Sequence, residues 1–447
     1  MPVLSPLAPV PTVACEPTPL PAVVGADLGV PSRSGTVRYG NLDHAASTPA
    51  LAAVKQAVDT ALGSYASVHR GAGWASRLTS AWYEQARDEV ARFVGARTCD
   101  EVVFTRTTTD SWNLLARVLP ADAVVLAFES EHHSTLLPWG PDRTVRLPVP
   151  SSIDDALARL DQALATRPAP ARLVVLSAAS NVTGEVWPVE RFAAVAHAHG
   201  ARLAVDAAQL AAHRPIDLGR WDADYLAFSG HKVYAPFGAG VLVGRQDWLD
   251  AGSPYLVGGG ATRSVTQFAT SWQTGPARHE GGSPNVVGAI ALAAACATIS
   301  GHWDAIVRHE ARLLEQLRSG LRSVPGVRLL SIRDGDEDGV GVVAFTVAGL
   351  DPALVSQVLS WEHGLGVRDG KFCAHLLVDR LLDERPSATA VRASIGLGTT
   401  PEAVDRLVVG LRRLVEHGPL DRWAHDGTAW VLADGDGRDG HAVARPW

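Results

Sequence analysis

Residues 223–240 read ADYLAFSGHKVYAPFGAG. The first half is a short aromatic and aliphatic run, the pattern of a strand that enters an interior. It ends in Ser229, Gly230, His231 and Lys232, and a glycine-bearing turn follows. A surface lysine needs no such setting, and an apolar core excludes an unpaired one. A lysine at the end of a buried strand is where α/β proteins keep their chemistry, because open parallel sheets bind ligands beyond the carboxyl ends of their strands.

Similar runs lie on either side. EVVFT (101–105), AVVLAFE (123–129), ARLVVLSAAS (171–180), ARLAVDAAQ (201–209) and GAGVLVG (238–244) are short, rich in branched or aromatic residues, and bounded by polar residues or glycine. Helical patterns such as SWNLLARVL and VERFAAVAHAHG separate several of them. Alternation of this kind predicts an α/β fold, a mainly parallel sheet with helices on both faces. The expected organisation is a Pro-rich N-terminal arm over 1–35, disordered or loosely draped, a large domain over 36–300, a smaller α+β domain over 301–418 and a Gly/Asp-rich tail over 419–447.

Composition narrows the function classes. The 447 residues are 47% hydrophobic and 19% charged, with a formal net charge of -7, which gives no electrostatic reason to expect nucleic acid. The locally basic stretch RHEARLLEQLRSGLRS (308–323) has helical apolar spacing and reads as a solvated helix face. The longest apolar run, VVGAIALAAACA (286–297), is too short to span a bilayer, so no membrane partner is expected. No basic region precedes the N-terminal prolines, which argues against a signal peptide. Four cysteines, Cys15, Cys99, Cys296 and Cys373, stand far apart without metal-like spacing. That suits a reducing, cytoplasmic setting, and no metal site is expected.

Three polar groups fall at strand ends. In FTRTTTDSWN (104–113) a strand meets a helix through Thr107, Thr108 and Thr109; hydroxyls and free N–H groups there suit a phosphate, although an ordinary N-cap would look the same. In LAVDAAQ (203–209) a strand ends at Asp206, with Gln209 three residues on. The third group is Ser229, His231 and Lys232. A lysine to bond the cofactor aldehyde, a carboxylate to keep its ring nitrogen protonated, and a phosphate cup are together what pyridoxal 5'-phosphate requires.

At this point the chain resembles the class V aminotransferase superfamily of pyridoxal phosphate enzymes, fold type I, and within it the group II cysteine desulfurases and selenocysteine lyases. The likeness rests on LDHAAST (42–48), VHRGAGWAS (68–76), EHHSTLLPW (131–139), SNVTGEVWPV (180–189), VDAAQ (205–209), FSGHKVYAPFGAGVLVG (228–244), EGGSPN (280–285), VRDGKFCA (367–374) and VRASIGLGTT (391–400). It implies a mainly parallel seven-stranded sheet in the large domain. Lys232 would hold the cofactor covalently, Asp206 would pair with its ring nitrogen, and Gln209 with its phenolic oxygen. His132 would stack on the ring, with His133 a structural neighbour. Thr108, Thr109, Ser229 and His231 would hold the phosphate, and Ser283 would reach the phosphate of a second subunit, implying a homodimer. Asn181 and Arg392 would bind the substrate carboxylate, and Arg368 matches as well.

The resemblance also places Cys373 where desulfurases carry a nucleophile. The implied reaction takes sulfur from L-cysteine, leaving a Cys373 persulfide and alanine, with a sulfur-acceptor protein as a possible partner. Lys371 and Arg368 stand close enough in sequence to favour the thiolate. Two departures stand out: Lys371 and Phe372 replace a pair of histidines before the nucleophile, and LDHAAST replaces LDNAAT, which puts His44 near the cofactor entrance. These keep a second reading open, a C–S lyase acting on a cysteine conjugate or sulfoxide, an aminotransferase or an epimerase that makes no use of Cys373. A third, a protein that binds the cofactor without turnover, fits a complete Lys–Asp–Arg set least well.

Overall fold

The computed structural model describes residues 19–333, 338–383 and 387–435; Cys15 and the Pro-rich start of the arm lie outside them, as does the end of the tail. Its centre is a seven-stranded sheet. In chain order the strands are β1 (Asp100–Thr105), β2 (Val124–Phe128), β3 (Thr144–Leu147), β4 (Arg172–Ser177), β5 (Arg202–Asp206), β6 (Tyr225–Ser229) and β7 (Gly240–Arg245). Across the sheet they run β1-β7-β6-β5-β4-β2-β3. Pairing is parallel from β3 through β6, and β7 is antiparallel to both β6 and β1.

Both faces are covered, which explains the near-continuous apolar runs. Period-two alternation sorts each strand's side chains. Val174 and Leu176 of β4, with Phe228 of β6, join the core that includes Ile153–Thr166, Val189–Ala198 and Val286–Ser300. Leu173 and Val175 face the other way, toward α1 (Thr108–Val118) and Trp139. The apolar run at 286–297 is thus a core helix, with Leu292, Cys296 and Ile299 fully buried. No single helix among the described residues is long and apolar enough to cross a membrane.

A second, four-stranded sheet follows, formed by β8 (Val327–Leu329), β9 (Val342–Val347), β10 (Arg368–Gly370) and β11 (Ala390–Ser394) in the order β8-β9-β11-β10. Its core is separate and is built from Leu313, Leu317, Phe345, Val391 and Leu407 among others. Within the described residues, both flanking segments hold regular structure. Gly29–Ser32 and Gly35–Arg38 form a hairpin, as do Trp423–His425 and Trp430–Leu432. They meet over Pro352–His363: Arg33 pairs with Asp421, whose carboxylate also accepts from Trp361 Nε1, 2.8 Å away.

Two glycines let the strand ends converge. A Cβ on Gly230 would meet the carbonyl oxygens of Ala239 and Ala235 at 2.7 and 2.9 Å, and one on Gly240 would meet the Thr107 backbone at 2.7 Å. β6, β7 and the start of α1 are therefore packed backbone to backbone at the carboxyl edge of the sheet. Because β6 carries this edge, its core anchor sets the stability there. Phe228 is fully buried with its ring 5.8 Å from that of Phe93. Phe228→Ala should lower stability by about 3–5 kcal/mol, read by equilibrium urea unfolding.

Candidate active site

Lys232 ends a single 3₁₀ turn, Gly230–Lys232, that follows β6 directly. It opens into a cavity of about 470 Å³ at the carboxyl edge of the sheet. The same cavity is lined by Thr108, Thr109, His132, Asn181, Asp206, Gln209, Ser229, His231, Arg368, Cys373 and Arg392. Residues spread over nearly three hundred positions thus converge because their strands and loops all end on one edge. Ser283 is the exception. It is exposed and lines a different cavity, of about 340 Å³, with Tyr83, Tyr255 and Glu280.

Asp206 is buried, and both its oxygens are held: Thr135 Oγ1 donates to Oδ2 at 2.6 Å and the Ala208 N–H to Oδ1 at 2.8 Å. Burial lowers the Lys232 ammonium to about 8, a shift the Asp206 charge only partly opposes. His132 caps the short helix α2 (His133–Leu136): its Nδ1 accepts from the Ser134 N–H at 3.1 Å and lies 2.7 Å from Ser134 Oγ. Burial, reinforced by the nearby Lys232 charge, pulls His132 down to about 4, so its ring is neutral near pH 7. Gln209 donates from Nε2 to the Ala45 carbonyl at 2.9 Å.

Thr108 and Ser229 meet at the first turn of α1. The Thr108 N–H donates to Ser229 Oγ at 2.7 Å, and the two hydroxyls are 2.8 Å apart. With Thr109 on the same turn and the His231 ring 3.4 Å from Ser47 Oγ, this corner gathers hydroxyls, an imidazole and a helix N-terminus.

On the opposite wall Arg392 is buried, donating to the Asn181 carbonyl at 2.9 Å and to Asp43 at 3.1 Å. Burial lowers its pKa from the usual arginine range. Its guanidinium carbon lies 5.0 Å from the centre of the Phe372 ring. Asn181 Nδ2 donates to the Phe372 carbonyl at 2.8 Å, so this amide also fastens the loop that bears Cys373. Phe372 and Cys373 have φ of 53° and 54°, two consecutive non-glycine residues in the left-handed region, a conformation that costs about 1–2 kcal/mol each. A bond from the His133 N–H to the Cys373 carbonyl, 2.8 Å, helps offset that cost.

Two expectations need correction. His44 is not at the cavity mouth: it is buried behind the wall, 6.3 Å from the Tyr234 ring centre. Its neighbours Ala45, Ala46 and Ser47 line the cavity instead. Lys371 is ion-paired with Asp379, so a carboxylate already compensates its charge and it is not a cation reserved for Cys373. Three supporting residues also escaped notice. Thr135 and Asp43 lie inside the quoted motifs, and Glu131, which heads one of them, is a buried carboxyl raised to about 8 mainly by burial that accepts from the Ser177 N–H at 2.9 Å.

Residues 40–407 match the family described as Aminotransferase class-V. The chain belongs to the class-V aminotransferase family. It is therefore a pyridoxal phosphate-dependent enzyme. A cysteine desulfurase from Dickeya dadantii (strain 3937) is 36% identical over 83% of this chain and 91% of its own length. A probable cysteine desulfurase from Streptomyces coelicolor is 34% identical over 78% of this chain and 85% of its own. Among solved structures, the cysteine desulfurase of Thermococcus onnurineus NA1 aligns with a TM-score of 0.75 at 32% identity, covering 85% of this chain and 95% of that one. The cysteine desulfurase CsdA of Escherichia coli gives 0.72 at 32%, covering 84% and 95%.

The cavity suits that cofactor by its donor set: a lysine whose amine is easily neutral, a buried carboxylate, a flat neutral ring, and a hydroxyl-rich helix start for a phosphate. The lowered lysine is directly testable. An amine with a pKa near 8 is charged below that pH and nucleophilic above it. In the cofactor-free chain, reductive methylation of Lys232 followed by peptide mass spectrometry should be half-maximal near pH 8, whereas an unperturbed lysine requires about pH 10.4. A midpoint near 10 would contradict the assigned burial.

Proposed function

We propose that this enzyme removes sulfur from L-cysteine, releasing alanine and leaving the sulfur on Cys373 as a persulfide. The observation that carries the reading is that the exposed, free thiol of Cys373 lines the same cavity as Lys232, Asp206 and Arg392. In this reading Lys232 holds the cofactor, Asp206 pairs with its ring nitrogen and Gln209 with its phenolic oxygen. His132 lies against the ring, and Thr108, Thr109, Ser229 and His231 take the phosphate. Arg392, Asn181 and Arg368 receive the substrate carboxylate, an anion that a guanidinium fork matches in shape.

Pyridoxal phosphate, when bound, supplies an electron sink that acidifies the substrate Cα–H and weakens the Cβ–Sγ bond. The chain's own groups do the rest. Once the substrate amine takes its place on the cofactor, the freed Lys232 amine, neutral in a large fraction near pH 8, would take the Cα proton. The Cys373 thiolate attacks the substrate sulfur; an S–S bond forms as Cβ–Sγ breaks, and the electron pair stays with Cβ. Cβ then gains a proton and Cα recovers one, the pair being the proton taken from Cα and the one released when Cys373 ionised; Lys232 is the acid at hand, and alanine leaves. Exposure of Cys373 leaves the persulfide open to an acceptor thiol, and the unpaired cysteines suit a reducing, cytoplasmic setting.

A homodimer is part of the proposal. Ser283 stands apart from its own chain's cavity, free to serve a second copy. Large apolar side chains are exposed on the same domain, Phe268 at 88% and Val257 at 68%, and a second copy could cover them.

Cys373→Ala discriminates between reaction types. Given L-cysteine under reducing conditions, the wild type should yield alanine and sulfide. The variant should lose at least about a hundredfold of that rate while L-cysteine still perturbs the cofactor absorbance. Pyruvate from the wild type, or equal rates in both proteins, would instead favour a C–S lyase or aminotransferase in which Cys373 is incidental.

A further inference from the structure

Arg368 and Arg392 stand directly opposite each other on antiparallel strands β10 and β11. Two like charges at a cross-strand pair repel. The chain nevertheless places both on the wall of one cavity. What lies between them is Asp43: its Oδ1 is 3.1 Å from Arg392 Nη2 and its Oδ2 is 3.5 Å from Arg368 Nη1. Asp43 is itself fixed, its N–H donating to Asn41 Oδ1 at 3.0 Å and its backbone bridging to Ser394 of β11. It is not part of the cavity wall.

We infer that Asp43 is a positioning and specificity residue that holds the two cavity arginines in place and cancels one of their charges, so that the subsite accepts one substrate carboxylate and disfavours a second. The inference rests on the proposed role of Arg392 and Arg368 as carboxylate ligands. The first part follows from burial: Arg392 is 3% exposed, its Nε–H has no hydrogen-bond partner among the described residues, and Asp43 is the carboxylate ion-paired with it, so Asp43 compensates and aims it. The second part is charge counting. Two guanidinium groups and one carboxylate leave a single positive charge for the incoming amino acid. A substrate with a second acidic group would add an anion with no cation left to meet it.

Binding of unreactive amino acids to the purified holoenzyme, followed by the cofactor absorbance, reads this without sulfur chemistry. The wild type should prefer L-alanine to L-aspartate. Asp43→Asn should bind L-alanine about tenfold more weakly, the effect of losing a hydrogen bond to a charged group. L-aspartate should weaken less, so the preference narrows. Asp43→Glu should restore part of the preference. Arg368 is exposed, so Arg368→Ala gives a second arm if the Asp43 variants fail to fold: it should widen the discrimination against L-aspartate. Equal weakening of both ligands in Asp43→Asn, affinities within about twofold of wild type, or an unchanged preference in Arg368→Ala would overturn the inference. Desulfuration of L-cysteine by the wild type is measured alongside. If it is absent while the binding pattern holds, the desulfurase reading fails and the role of Asp43 stands.

Discussion

The structure depends on keeping a lysine amine and a carboxylate together at the end of a buried sheet. Asp206 closes β5 and Lys232 follows β6, and these strands are parallel neighbours in register from Ala204 opposite Tyr225 to Asp206 opposite Ala227. Neither charge is tolerable there alone. The sheet makes the arrangement possible by surrounding it with apolar side chains on both faces. The local polar groups make it stable: Thr135 and the Ala208 amide hold the carboxylate, and the proximity of Asp206 limits how far burial depresses the lysine.

Much of this was legible in the residues. Strand-length apolar runs alternating with helical patterns are unambiguous when a parallel sheet is covered on both faces, and the polar groups that line the cavity sit at predictable ends of those runs. Lys232, Asp206, Thr108 and Ser229 needed only the rule that such sheets bind at their carboxyl edge. Other features depended on contacts that no local pattern encodes. Asp43 belongs to a motif in which His44 drew attention, yet the side chain directed toward the arginines is the aspartate, and His44 packs behind the wall near Tyr234. Lys371 looked like a helper of Cys373 because it is two residues away, but the turn directs its ammonium to Asp379. The segment at 19–35 belongs to an arm that read as loose from its prolines, while the glycines and aspartates of 419–435 left its order undecided. Their order comes from long-range partners, Arg33 with Asp421 and Trp430 Nε1 with Asp351 at 2.9 Å.

The loop bearing Cys373 joins the two halves of the proposed reaction. Its left-handed residues are held by Asn181 and His133, both on segments that end at the large sheet, and Phe372 lies over the guanidinium of Arg392. In the proposed reaction, carboxylate recognition and thiol placement would therefore share one set of contacts. A substrate seated on Arg392 meets a loop already braced against that arginine, and an exposed sulfur stands at the edge of the same cavity. Lys371 and Phe372 are both accommodated by this packing: the aromatic ring is buried and the lysine is ion-paired with Asp379.

The central claim is that substrate sulfur passes to this one thiol. Brief exposure of the holoenzyme to L-cysteine without reductant, followed by alkylation and peptide mass spectrometry, tests it most directly. The account expects one added sulfur atom on the peptide containing Cys373 and none on those containing Cys15, Cys99 or Cys296. Unmodified Cys373 with alanine accumulating in the same sample, or sulfur distributed equally among the four cysteines, would contradict it.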